Sequence, residues 1–189
     1  MKKTLLILLF IITFPLSIFA QSEDIDKIRV RIFSDQQIEE VLFVPSFGQY
    51  YLETDKGEKI KLNKTSKLTV KDLDGQIEIK INDTTYCKAK KINLTSTGLK
   101  SFFQIKPIKP QILERRYEDN LEIISKKNSL FIINIVKTDN YIAGVVQSET
   151  WGATTNIDFF KIQAICCRNY LMNNLEKHAR SEERRVGKE

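Results

Sequence analysis

Glu149 is the carboxylate whose setting stands apart. It follows the largely apolar run Tyr141-Ile142-Ala143-Gly144-Val145-Val146-Gln147-Ser148 and precedes Trp151, the single tryptophan of the chain. Partial desolvation there would raise its pKa toward that of a usable general acid; a plain helix-end carboxylate is the alternative. Most other Asp and Glu residues sit in polar alternation, as solvated faces do. Lys161 and Arg168 are a second anomaly. Seven residues apart in a helical pattern, they share one face, about 10.5 Å apart along its axis. Gln163 interrupts the same apolar stretch. Polar groups in such a stretch need partners. Either they bond loop carbonyls or an Asp, or they line a cleft and hold polar substrate atoms.

Other reaction centres are poorly supplied. The only histidine is His178, so a Ser-His-Asp or Cys-His site would have to use it. Neither H-E-x-x-H nor Cys-x-x-Cys occurs, and no metal site is expected. Cys166 and Cys167 are neighbours that, on a helix, point about 100° apart and are badly placed to bridge each other. They read as small core residues, and Cys87 as an ordinary strand residue. Gly-rich phosphate loops are absent.

The elements that must position these groups follow from periodicity. From Lys27 to Val136 the period is mostly two. Ile28, Val30 and Ile32 alternate with Arg29 and Arg31, as in a strand with one wet face. Val41 to Val44 ends at Pro45, and Gly48 opens a second run, Gln49 to Thr54. Asp55-Lys56-Gly57 reads as a turn and Asp74-Gly75 as a hairpin turn before Ile77, Ile79 and Ile81. One or two short strands fall within Thr84 to Leu94. Pro107 and Pro110 flank a connector, and Leu121–Ile124 with Leu130–Val136 form a hairpin around Lys126-Lys127-Asn128. After Asp139 the period changes. Ile157, Phe160, Ala164, Cys167, Leu171 and Leu175 recur at helical spacing, with Thr155 or Asn156 as cap. Phe159, Ile162 and Cys166 add a second apolar side, so the first turns should be buried nearly all round. Strands followed by a long helix predict an α+β fold, the helix packing at the cleft.

Both ends read as something other than fold. Residues 1–20 have the parts of a secretory signal: Lys2 and Lys3, an apolar run from Leu5 to Phe14, and Ala20 before Gln21. That run is short of the roughly 20 residues needed to span a membrane. Residues 180–189 form a charged tail resembling translated sequencing-adapter read-through, so the natural chain is expected to continue past Ala179. The formal charge of +6 falls to +3 once both ends are set aside. That is too weak to argue for nucleic acid and suits work near an anionic polymer. The composition of the whole chain, 42% hydrophobic and 29% charged, excludes collagen-like and wholly disordered chains.

The stretch from Leu130 to Tyr170 carries a recognisable pattern: Leu130-Phe131-Ile132-Ile133-Asn134-Ile135-Val136, Asp139, Tyr141 to Val146, Ser148-Glu149, Lys161 to Ile165, and Arg168-Asn169-Tyr170. It resembles the stage II sporulation protein D / LytB amidase-enhancer family (SpoIID/LytB). Ile28-Arg29-Val30, Gly48, Tyr50-Tyr51-Leu52 and Tyr117 agree with it upstream, so the resemblance spans about Lys27 to His178. Residues 21–179 would then be the N-terminal part of such a domain. The resemblance implies a secreted or periplasmic cell-envelope protein that cleaves peptidoglycan glycan strands as a lytic transglycosylase. It assigns the catalytic acid to Glu149 and substrate binding to Lys161, Gln163 and Arg168. A cation directly on Glu149 would oppose the acid role.

Several positions depart from the family pattern. Leu-Glu-Asp-Tyr is here Thr138-Asp139-Asn140-Tyr141, Glu-Met-Pro is Glu149-Thr150-Trp151-Gly152, Arg-Thr-Tyr is Arg168-Asn169-Tyr170, and an upstream Arg-Gly is Glu118-Asp119. The family's downstream half, with a Cys/His zinc-binding stretch in some members, is missing, and the fragment alone is expected to be weak or inactive. No cofactor is expected in the residues present. Expected partners are peptidoglycan glycan strands and a cell-wall amidase, with no nucleic acid. The alternative function is a non-catalytic, glycan-binding enhancer of that amidase.

Overall fold

The computed structural model describes residues 26–151 and 155–179. The expected signal segment and charged tail lie outside them. Ten strands come first: β1 (Lys27–Ile32), β2 (Glu40–Thr54), β3 (Lys59–Leu62), β4 (Leu68–Leu73), β5 (Gln76–Ile81), β6 (Thr84–Ala89), β7 (Lys91–Lys109), β8 (Arg115–Glu118), β9 (Asn120–Ser125) and β10 (Leu130–Lys137). Two helices close the order, α1 (Thr138–Glu149) and α2 (Ile157–Ala179).

All strands join one antiparallel sheet in the order β1-β10-β9-β7-β2-β4-β5-β6, with β3 added to β2 and β8 to β7. The period-two segments explain this. Ile77 and Ile79 are fully buried while the residues between them are not, and β10 alternates buried and half-buried positions along its whole length. The tight turns fall where left-handed backbone is available: Gly57 and Gly75 have φ of 81° and 89°. Lys127 and Asn128 turn the β9–β10 hairpin with φ of 53° and 61°.

The two longest strands form the spine of the sheet. β2 pairs with β4 at its start, with β3 at its end, and with β7 along most of its length. Where the sequence suggested two runs separated at Pro45, the structure has one strand with register shifts on either side of Phe47. Pro45 is tolerated because the ladder is already irregular there. β7 likewise runs through Pro107, expected to begin a connector. Between these strands lies the aromatic core. Phe103 packs 5.2 Å from Phe43, 6.0 Å from Tyr50 and 5.9 Å from Tyr117, centroid to centroid, and Phe43 meets Tyr50 edge-on. The buried Tyr50 hydroxyl donates to the Asp119 carbonyl oxygen at 2.9 Å, which satisfies its polar end.

One carboxylate is buried in the sheet. Glu122 is 3% exposed, paired with Arg29 and, at 2.6 Å, with Lys91. Burial alone would raise its pKa; the hydrogen bonds from Arg29 and Lys91 outweigh burial and hold it below the ordinary 4.5. The contribution of this cluster is therefore complete above the unfolded carboxyl's range and is lost as pH falls through the lower folded value. Acid titration of Glu122→Gln should show less loss of stability below pH 4.5 than the parent. Chemical-denaturant midpoints measured across that range check it.

Two expectations about the fold are corrected. Arg31 does not face water as the alternation implied; it is 9% exposed, its guanidinium 3.9 Å from the Phe131 ring centroid. The α+β organisation, with a long helix packed at the cleft, is also overturned. A ten-stranded antiparallel sheet dominates, and α2 lies chiefly against α1 rather than on the sheet. Its first turns are accordingly not buried all round. Leu171 is buried and Phe160, Ala164 and Cys167 are half-buried, whereas Ile157, Phe159, Ile162, Ile165 and Cys166 are exposed. Apolar content on two sides needs two surfaces to bury against, and α1 supplies one.

Candidate functional site

The helix pair is attached to the sheet through the start of α1. No side chain from the preceding residues caps this helix. The buried Asp119, in the β8–β9 turn with φ of 62°, instead reaches across from the sheet. Its Oδ2 accepts the Lys137 backbone N–H at 2.9 Å and the Asn140 side-chain amide at 3.5 Å. An anionic acceptor at a helix start satisfies orphan donors and complements the dipole. Asp119 and Asn140, two of the departures noted in the sequence, thus meet each other. Asn134 supports the same turn by donating to the Glu118 and Asn120 carbonyls at 2.8 Å each.

At the far end, Thr150 closes α1. Its backbone N–H and its hydroxyl both donate to the Val146 carbonyl, at 3.0 and 2.6 Å. Glu149 is consequently the last residue of the helix, the simpler of the two sequence readings, and its side chain is exposed. The expected shielding by Trp151 does not occur, since that indole is itself 82% exposed. α2 begins where predicted: the Asn156 side-chain carbonyl accepts the Asp158 N–H at 2.9 Å.

The structure brings Glu149 together with one of the three expected binding residues. Gln163 Nε2 donates to Glu149 Oε2 at 2.6 Å, and the Cys167 thiol approaches the same oxygen at 3.9 Å. Burial, then the Glu149 charge, pushes the Cys167 thiol up from its ordinary pKa, so it stays a neutral S–H donor. Gln163 and Cys167 are one turn apart on α2, which is why both reach one carboxylate.

Lys161 and Arg168 lie elsewhere. Helical rotation of 100° per residue puts Gln163 and Cys167 on one flank of the α1–α2 seam and Lys161, Ile165 and Arg168 on the other. On that second flank a groove of about 860 Å³ runs between the helices. Asp139, Ile142, Val146 and Trp151 line it from the α1 side, with Lys161, Ala164 and Arg168 opposite. Arg168 bonds Asp139 across the groove, and Lys161 Nζ bonds Asp158 at 3.1 Å.

Asp139, Asp158 and Cys167 were not singled out as functional partners by the sequence. The Asp158–Lys161 spacing was a usable signal, being a standard i, i+3 helix pair. Asp139–Arg168 is a tertiary contact with no sequence signature. Among the described residues no three His, Cys, Asp or Glu side chains come together as metal ligands.

Neither the curated proteins nor the solved structures contain a match to the chain. A family model does match. Residues 126–188, a third of the chain holding β10, both helices and all four expected site residues, match the model of the family described as SpoIID, stage II sporulation protein.

Proposed function

We propose that the intact protein acts on peptidoglycan glycan strands as a lytic transglycosylase, with Glu149 as its single acid and base. Glycoside hydrolysis ordinarily takes two carboxyl groups, one to protonate the leaving oxygen and one to activate water or attack. A transglycosylase that uses the sugar's own hydroxyl manages with one. The observation that carries the reading is the 2.6 Å hydrogen bond from Gln163 to Glu149. Both Gln163 and Cys167 address Oε2, which orients the carboxyl group on the surface of the helix pair.

The steps balance. Protonated Glu149 gives its hydrogen to the glycosidic oxygen between muramic acid and glucosamine, and the C1–O bond breaks toward that oxygen. The carboxylate then takes the proton of the muramic acid's C6 hydroxyl as that oxygen bonds C1. The product is a 1,6-anhydro ring, Glu149 ends protonated, and no water or cofactor enters. Lys161 and Arg168 are positioned to hold substrate carbonyl or lactyl carboxylate groups along the groove, exchanging their Asp158 and Asp139 partners for substrate. Work at the cell envelope after removal of the leader fits this chemistry.

One observation favours a second reading, a glycan-binding enhancer of a cell-wall amidase: the exposed Glu149 and the groove's cations occupy opposite flanks of the helix seam. Incubation of the uninterrupted protein with glycan strands stripped of stem peptides separates the two. Anhydromuramyl products in the mass spectrum support the transglycosylase. Binding without them, together with faster amidase turnover, supports the enhancer.

A further inference from the structure

Phe47 is a ring that the fold turns away from its core. Along β2 the buried residues Val41, Phe43 and Pro45 alternate with half-buried ones, the register shifts on both sides of Phe47, and alternation resumes at Tyr50 and Leu52. Phe47 is left 51% exposed. The irregularity has structural costs. Gly48 adopts φ of +84°, a Cβ there would lie 2.5 Å from Ser101 Oγ, and the hydroxyls of Ser46 and Ser101 are buried without hydrogen-bond partners. Bulges re-aim side chains in this way, and local rules are broken most often where function requires it.

The ring is part of a series. Phe102, its cross-strand partner on β7, lies 6.1 Å away, and Arg116 of β8 stacks 4.3 Å from the Phe102 centroid. Lys64 lies 6.0 Å from the Phe47 ring. Four residues along β2, beyond the irregularity at Gly48, Tyr51 has Lys59 of β3 5.4 Å from its ring. Tyr51 and Phe102 alternate with buried neighbours and so face away from the core, and the exposed Phe47 lies opposite Phe102 in the ladder. Lys59, Lys64 and Arg116 have no carboxylate partner among the described residues. Three outward rings, each with a cation beside it, form a track of apolar plates and positive charges, with Glu53 opposite Lys59 and Glu118 opposite Phe102 in the ladders.

We infer that this outward face of β2, β3, β7 and β8 docks a carboxylate-bearing polysaccharide strand, separate from the helix pair. The choice of polymer rests on the proposed cell-wall function. Sugar rings present flat C–H faces that stack on aromatic side chains, while carboxylates meet the cations. A nucleic acid fits less well. Its phosphates repeat at every nucleotide, whereas the cations here are widely spaced and share the face with Glu53 and Glu118.

Sedimentation of the full chain with insoluble peptidoglycan glycan strands stripped of stem peptides tests this, with chitin as a neutral polymer and double-stranded DNA as the competing class. The paired change of Phe47→Ala with Phe102→Ala, and separately Lys64→Glu with Arg116→Glu, should each weaken glycan binding by about tenfold or more. The charge pair's effect should shrink at high salt, and chitin should bind weakly and without salt dependence. Thermal melting of both variants controls for folding, and the exposed charge pair serves if the aromatic pair melts early. Glu149→Gln should bind as the parent does. Undiminished binding by the charge pair, absence of glycan binding by the parent, or tighter binding to DNA than to glycan overturns the inference. Product formation with no dependence of binding on the track overturns the track alone, and track-dependent binding without product overturns the catalytic reading alone.

Discussion

Glu149→Gln should reduce release of 1,6-anhydromuramyl ends by about 10²–10⁴-fold, the usual worth of a positioned general acid. Glutamine keeps the size and can still accept a hydrogen bond from Gln163 through its carbonyl oxygen, so the Glu149–Gln163 contact survives while the proton is lost. Binding to glycan strands should be little changed, which makes this a loss in kcat rather than in KM. Mass spectrometry of digests at saturating substrate measures it. Product formed at the parent rate would remove Glu149 from the mechanism. Gln163→Ala should give a smaller loss, since it frees the carboxyl to rotate but leaves it able to donate.

Phe103→Ala should destabilise the sheet by about 3–5 kcal/mol, the range for truncating a large buried aromatic residue. Phe103 is fully buried and its ring contacts Phe43, Tyr50 and Tyr117, so the cavity opens where β2, β7 and β8 meet. These neighbours sit on two strands, β2 and β8, each fixed by its ladder to β7, and cannot all collapse into the space. Equilibrium denaturation in urea checks the figure; a change under 1 kcal/mol would mean that the aromatic cluster is far less tightly packed than described.

Local rules carried the strand-rich half a long way. Alternation at Ile77 and Ile79, the glycine turns at Gly57 and Gly75, and the hairpin around Lys127 and Asn128 all depend on near neighbours, and near neighbours are what a sequence displays. Pro45 and Pro107 misled because a proline's lost donor matters only where a partner strand needs it, and the partner was not visible. Arg31 misled for a related reason: Phe131, from a strand far along the chain, offered its ring. The second apolar side of α2 was real in the sequence, but hydrophobicity states what a residue would bury, not whether a surface exists to receive it. In the candidate site, Glu149 and Gln163 were legible as polar exceptions in apolar surroundings, and the structure joins them. The rotation along α2 already sets Gln163 apart from Lys161 and Arg168, but that Glu149 falls on the Gln163 flank depends on where α1 lies relative to α2, which no spacing within α2 encodes.

The attachment of both helices through the Asp119 turn carries a consequence for how the molecule breathes. Amides in β2, β7 and β10 can exchange with solvent deuterium only when the sheet itself comes apart, whereas those of α2 need only lose their contact with α1. Exchange protection should therefore fall in two cooperative tiers, with α2 released well before the strands. Asp119→Ala should lower the helical tier most, as a hinge pin withdrawn from a door whose frame still stands.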